Sequence, residues 1–250
     1  MSSALAALAV FPGLALGSFL NVVAARVPRK RSLVRPGSAC MSCKAPIVWY
    51  DNIPVVSYFL LRGRCRNCGG RIGLVYPAVE ITAAVLVAGC LLAFGLTFYT
   101  AIAAFFCCVL VAISAIDIEH RIVPDRIVLP STLIVLAAQL VRDPSLEWPL
   151  AAFLAALFLL IAAVVYPAGM GMGDVKLALL MGAMLGKVVS VALIVGMVSA
   201  VIPGVYLLAR HGRSARKMGI PFAPFLALGS VIALFAGEWL LDAYLGALRS

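Results

Sequence analysis

At 250 residues, 64% of them hydrophobic and only 12% charged, with a mean hydropathy of +1.11, the chain excludes an ordinary soluble domain. Apolar stretches near 20 residues recur along it, the pattern of a polytopic helical membrane protein. The net charge of +10 is unevenly placed, with ten of the twenty Lys and Arg between Arg26 and Arg71 and four more between Arg210 and Lys217. Retention of short basic loops in the cytoplasm explains this more simply than nucleic-acid binding, so the expected partner of the charge is membrane lipid and not nucleic acid.

The first apolar run, Ala4 to Ala25, has no basic residue ahead of it, exceeds a signal h-region and carries its positive cluster behind it. It is expected to be an uncleaved span with its N-terminus outside. Near its inner end, Gly17-Ser18-Phe19-Leu20-Asn21 suits close helix packing with an interhelical hydrogen bond, or a substrate contact.

From Val27 to about Leu74 the composition turns polar, basic and rich in Pro and Gly. Here stand Cys40-Met41-Ser42-Cys43 and Cys65-Arg66-Asn67-Cys68, with 21 residues between the pairs. Two C-x-x-C knuckles supply four thiolates for tetrahedral zinc, a closed and therefore structural site. A segment this short, with few large apolar side chains, cannot build a sufficient core, so a metal staple is physically sensible. Two disulfides or a redox pair compete, but the basic flanks put the segment in the reducing cytosol. Asp51-Asn52-Ile53-Pro54 reads as a turn between the knuckles. The expected division is thus 1–26, a first transmembrane helix; 27–74, a cytoplasmic zinc-binding domain with four cysteine ligands; and 75–250, the remaining transmembrane core.

Tyr76-Pro77 opens the second span, about Val75 to Phe94, and Glu80 is read as a first-turn carboxylate complementing the helix dipole, with a supporting role at a site as the other option. The third span, about Phe98 to Ile116, delivers Asp117 to the inner face. In the charged loop that follows, His120 reads as solvated and Asp125 as the N-cap of the fourth span, about Arg126 to Val141. Cys90, Cys107 and Cys108 read as small buried hydrophobes. The fifth span runs from about Leu150 to Pro167, the sixth and seventh from about Val175 to Leu185 and Val188 to Ala209, and the last ends near Leu245. About eight spans satisfy the charge bias, and the sixth is short for a crossing.

Between the fifth and sixth lies Gly169-Met170-Gly171-Met172-Gly173-Asp174-Val175-Lys176. Charged groups at such depth cost about 2.5–3.5 kcal/mol each on insertion scales and default to a functional role. The alternating glycines let a neighbouring helix or an extended substrate approach closely. The third and fifth spans both run inward, so Asp117 and Asp174 share one leaflet depth on separate helices. Two close carboxylates share a proton, so one can activate water while the other polarises a carbonyl, which is aspartic-protease chemistry. Against this stand a structural reading, Asp174 and Lys176 as an ion pair or cap, and a carrier or assembly scaffold in which they bind an ion or a partner.

In order and spacing, the chain resembles the type IV prepilin peptidases, GxGD-type membrane aspartic proteases. The resemblance rests on Gly17-Ser18-Phe19-Leu20-Asn21, both cysteine pairs with Asn52-Ile53-Pro54 between, and Tyr76-Pro77-Ala78-Val79-Glu80. It continues through Asp117, Pro124-Asp125, Gly171-Met172-Gly173-Asp174-Val175-Lys176 and Pro221-Phe222 to Gly229. It implies Asp117 and Asp174 as the catalytic pair, and Gly171, Gly173, Lys176 and Glu80 are read beside it as residues toward the substrate. The implied substrate is a prepilin or pseudopilin precursor, cut between a basic leader and the apolar helix at the cytoplasmic face of the bacterial inner membrane. Cysteine-bearing members often also methylate the new N-terminus with S-adenosylmethionine. Met41 stands where a proline is common and Ala223 where a glycine is common.

Overall fold

A computed structural model describes residues 3–165, 170–212 and 220–249. Gly169, the end of the fifth span at Pro167 and the basic residues Arg213 to Lys217 lie outside the described residues. Nine α-helices are found among the described residues: α1 Ser3–Arg26, α2 Val56–Leu60, α3 Val75–Phe94, α4 Phe98–His120, α5 Asp125–Arg142, α6 Glu147–Val165, α7 Met172–Leu185, α8 Val189–His211 and α9 Ala223–Arg249. The only strand-like pairings among them are two isolated bridges, Ala39 with Pro46 and Arg64 with Arg71. The chain divides into two compact units, Met1–Ile116 and Asp117–Ser250.

Among the described residues, six stretches are long and apolar enough to cross a membrane: Ala9–Arg26, Val75–Phe94, Phe98–His120, Glu147–Val165, Met172–Arg210 and Ala223–Ala247. The expectation of eight separates from this at two places. Helix α5 has 18 residues and carries Asp125, Arg126 and Arg142 at its ends, so its uncharged centre is shorter than a span. Helices α7 and α8 form one apolar stretch, broken at Gly186 where φ is +55°. Helix α7, at 14 residues, is about 21 Å long, well short of a hydrocarbon core of about 30 Å. Ten of those residues are buried, so α7 is a core helix of its unit, packed against α6 and α5.

In the first unit α1 packs along α3. A Cβ on Gly17 would fall on the backbone of Glu80, so glycine at 17 is what allows the helices this close. Asn21, one turn further, donates to the Tyr76 carbonyl at 3.1 Å, the interhelical hydrogen bond expected of it. In α4, Phe106, Leu110, Ile113 and Ile116 recur at helical spacing and are fully buried. Cys107 and Cys108 are buried on the same helix, and Cys90 of α3 lies with its Sγ 3.9 Å from that of Cys107.

In the second unit α6 packs on α7 and α8 on α9. Gln139 of α5 is wholly buried, donates to the Met184 carbonyl at 2.9 Å and accepts from Arg142 Nε at 2.9 Å. That satisfies a buried amide and fixes α5 against the far end of α7.

Candidate metal centre and carboxylate pair

The two knuckles of the first unit repeat one local fold. In one, Cys40 N–H donates to Ala45 O at 2.9 Å and Lys44 N–H to Cys40 O at 3.0 Å; in the other, Cys65 N–H donates to Gly70 O at 2.8 Å and Gly69 N–H to Cys65 O at 2.9 Å. The fifth residue of each turn is left-handed, Lys44 at φ +60° and Gly69 at φ +69°. These turns bring the four Sγ atoms of Cys40, Cys43, Cys65 and Cys68 within 4.8 Å of one another. Tetrahedral zinc with Zn–S near 2.3 Å needs sulfurs about 3.8 Å apart. Cys40 and Cys68 Sγ lie 3.9 Å apart, so the donor set and spacing fit zinc.

The thiols differ in how readily they ionise. The N–H groups of Cys43 and Ser42 pull the Cys40 thiol down to about 6, and the Ala45 N–H with the Asn67 side chain lowers Cys43. Cys68 goes the other way, to about 11: the Gly70 N–H favours its thiolate, but the sulfurs of Cys43, Cys65 and Cys40 and burial outweigh it. A divalent ion at the centre of the sulfurs would favour the thiolate of Cys68 against that rise.

Between the knuckles, Trp49–Asn52 is a 3-10 turn, as the Asp51 to Pro54 sequence suggested. Arg66 clamps it, with Nε 2.8 Å from Asp51 Oδ2 and Nη2 2.7 Å from Oδ1, and its guanidinium lies 5.5 Å from the Tyr50 ring centre. The hydrogen bonds from Arg66 hold the Asp51 carboxyl below the usual carboxylate range, so the pair persists at neutral pH and is lost only as pH falls through that lowered value. Asp51→Asn is expected to speed zinc loss to a chelator about two- to five-fold at neutral pH, the effect of releasing one turn. An unchanged release rate would show that the clamp does not steady the knuckles.

Glu80 lies in the second turn of α3 and not in its first, which has no acidic residue. The dipole role is therefore corrected: its carboxylate instead accepts the Val55 N–H at 2.7 Å and faces Asn21 Nδ2 at 3.4 Å. It stands in the wall of a cavity of about 1040 Å³ whose lining also includes Asn21, Arg26, Arg29, Tyr50 and Tyr76.

In the second unit Asp117 sits in the last turn of α4 and Asp174 in the first turn of α7. Both are buried, at 6% and 8% exposure. Helix α4 runs four residues beyond the expected end of the third span, because Arg121 N–H bonds to Asp117 O at 2.8 Å before the chain turns left-handed at Arg121. Asp117 Oδ2 accepts the backbone N–H of Ala223 at 3.0 Å, at the N-terminus of α9. Asp174 Oδ2 accepts the Gly171 N–H at 3.2 Å, while Asp174 N–H returns to Gly171 O at 3.1 Å. Each carboxylate is thus held by a helix-start amide, where negative charge is favoured. The two lie within electrostatic reach of each other.

The sequence did not assign a role to the Ala223 amide. Its only signal was the Pro221-Phe222-Ala223-Pro224 run, a helix start whose free N–H groups suit an anion. Ala223 is wholly buried and its φ is not left-handed, so the place where glycine is common accommodates alanine.

Of the structural alternative, Asp174 and Lys176 as an ion pair or cap, the cap is present, Asp174 accepting the Gly171 N–H, and the ion pair is not, Lys176 Nζ lying 2.7 Å from Asp125 Oδ1. Two expectations near this pair are corrected. Asp125 is the first residue of α5 and makes no cap, the N-cap being Pro124. His120 ends α4, with its Nε2 buried and 3.6 Å from Glu119 Oε1, too long for a hydrogen bond, so it is not a solvated loop histidine. Of the glycines, Gly173 lies against Val123, where a Cβ would stand 2.8 Å from the valine Cβ. Gly171 is open among the described residues, the nearest heavy atom to such a Cβ outside its chain neighbours being Asp174 Oδ2 at 3.7 Å.

Residues 11–94 match the Bacterial Peptidase A24 N-terminal domain and residues 104–208 the Type IV leader peptidase family. A Bacillus subtilis protein named prepilin leader peptidase/N-methyltransferase is 32% identical over 93% of this chain and 95% of its own length. Proteins of the same name from Pseudomonas aeruginosa, at 33% over 93% and 91%, and Burkholderia pseudomallei, at 34% over 92% and 85%, are similar in turn. No solved structure matches. A buried carboxylate pair, a four-cysteine knuckle and likeness over nearly the whole length therefore converge: the chain belongs to the type IV leader peptidase family.

Proposed function

We propose that this chain is a membrane aspartic endopeptidase that removes the basic leader from prepilin-like precursors, with Asp117 and Asp174 as its catalytic pair. The observation that carries the assignment is the placement of two carboxylates, 57 residues apart in sequence, in one unit, each buried and each held by a helix-start amide. One carboxylate takes a proton from water as the oxygen attacks the scissile carbonyl; the other, protonated, donates to the carbonyl oxygen. The C–N bond then breaks and the departing amine takes a proton. The carrier reading needed Asp174 and Lys176 to act together, and Lys176 is engaged by Asp125.

The active site and the cysteine-bearing segment 27–74 face the cytoplasm of the bacterial inner membrane, a placement supported by the basic residues between Arg26 and Arg71. Residues 1–26 form the first transmembrane helix and 75–250 the protease core. Six stretches among the described residues are the candidate crossings, with α5 and α7 packed within the unit that α6, α8 and α9 share. Zinc held by Cys40, Cys43, Cys65 and Cys68 braces the cytoplasmic segment.

The relatives' names pair cleavage with N-methylation, and the cavity of about 1040 Å³ beside Glu80 is the candidate place for a methyl donor. Glu80 would face the cationic part of S-adenosylmethionine, and Arg29 its carboxylate. When bound, that group supplies a methyl on a sulfonium.

Gly171 leaves room for an extended substrate, whereas the space at Gly173 is taken by Val123. Gly171→Ala is expected to keep the fold and raise KM about ten-fold, and Gly173→Ala to lower the melting temperature by shifting Val123. An unchanged KM for Gly171→Ala would remove that glycine from the substrate path. For the function itself, the test is co-expression with a prepilin-like precursor. A shortened product whose new N-terminus gains one methyl supports both activities, a shortened unmethylated product supports the peptidase alone, and an uncut precursor rejects the proposal.

A further inference from the structure

The segment Arg121–Asp125 runs from the turn that carries Asp117 to the start of α7, which carries Asp174. It begins on the turn whose Arg121 N–H is bonded to Asp117 O, and it touches the start of α7 at two points. One is Val123 against Gly173, and the other is Asp125 against Lys176, with Nζ to Oδ1 at 2.7 Å. Gly173 and Lys176 are three residues apart and so share one face of α7. Asp174 follows Gly173, about 100° round the same helix. Packing against α5 and α6 holds the body of α7, and these two contacts, about one turn apart, hold its start, where Asp174 stands.

We propose that Asp125 and Lys176 are positioning residues, whose ion pair fixes the start of α7 and thereby the direction in which the Asp174 carboxylate is presented toward Asp117. The inference rests on the catalytic pair assigned above and adds to it a device that aims one member. The pair is partly exposed, at 31% for the Lys176 side chain and 56% for Asp125, so it adds little to stability. Its effect is geometric, and catalytic geometry is unforgiving: a displacement near 1 Å at a reacting group costs about 100-fold in rate. This gives Lys176 a task other than substrate contact, and it gives Asp125 one other than capping.

The test uses the purified full chain in detergent with a prepilin-derived peptide, comparing Lys176→Met, Asp125→Asn, Lys176→Arg and the charge exchange Asp125→Lys/Lys176→Asp. The neutral variants are expected to lose about 10- to 100-fold in kcat, with KM within about two-fold and unchanged melting. Lys176→Arg should stay within about three-fold of wild type, and the exchange should recover at least about ten-fold over either reversal alone. Should a single reversal fail to accumulate, the neutral variants carry the comparison, since they bring no repulsion. A rise in KM at constant kcat would make Lys176 a substrate contact and overturn the proposal. So would full activity in both neutral variants, or an exchange no better than its parts. Asp117→Asn runs alongside: cutting that persists there rejects the catalytic pair itself, whereas cutting lost there and kept in the neutral variants rejects only the positioning role.

Discussion

Asp174→Asn and Asp117→Asn are each expected to lower cleavage of a prepilin-like substrate by about 10,000-fold, the upper range for a positioned general acid or base. Asparagine keeps the size of the side chain and its carbonyl oxygen can still accept the amide that holds each carboxylate. The Gly171 and Ala223 hydrogen bonds should therefore survive, and with them the starts of α7 and α9. What the substitution removes is the ability to take or give a proton. Helix content and membrane insertion are accordingly expected to match wild type, measured by circular dichroism and by extraction from membranes. Ablation with intact helicity identifies chemistry; loss of both would point to folding and leave the carboxylates as structural.

Loss of the metal is the second large effect. Residues 27–74 hold little buried apolar surface, with Ser57 the one fully buried residue among Val56–Leu60 and none in the 3-10 turn. Leu33 to Leu74 includes Val34, Trp49, Leu60 and Leu74 at more than 70% exposure, so apolar packing is not what holds this segment. Zinc binding to four thiolates is worth about 10–16 kcal/mol in small knuckle peptides, far more than such packing supplies. Cys40→Ser or Cys65→Ser is expected to abolish stoichiometric zinc, read by metal analysis, and to open this segment to protease while α3 and α4 stay protected. A zinc-free variant that resists protease and cuts at the wild-type rate would show that the knuckles stand without metal.

Much of this was legible from residue order. The apolar runs marked the helices because a bilayer needs long uncharged stretches, and α3 was placed at its observed ends, Val75–Phe94. The cysteine spacing located the four-cysteine cluster, since a knuckle is a local turn whose geometry a few residues determine. What the sequence could not give were pairings across elements. Asp125 looked like a cap because it follows a proline, yet Lys176, 51 residues on, claims its carboxylate. Glu80 sits near a helix start, but Val55 and Asn21 are its partners. The short sixth run was visible as short; that it is a buried core helix depended on α5 and α6 packing around it.

The claim that Asp117 and Asp174 make this chain an endopeptidase is tested most directly by incubating the purified protein in detergent with an intact prepilin-like precursor and weighing the fragments by mass spectrometry. The double variant Asp117→Asn/Asp174→Asn serves as the background. The account expects two fragments from the wild type, divided between the basic leader and the apolar helix, and none from the double variant. Uncut precursor with the wild type across several leaders, or the same two fragments from the double variant, would contradict it.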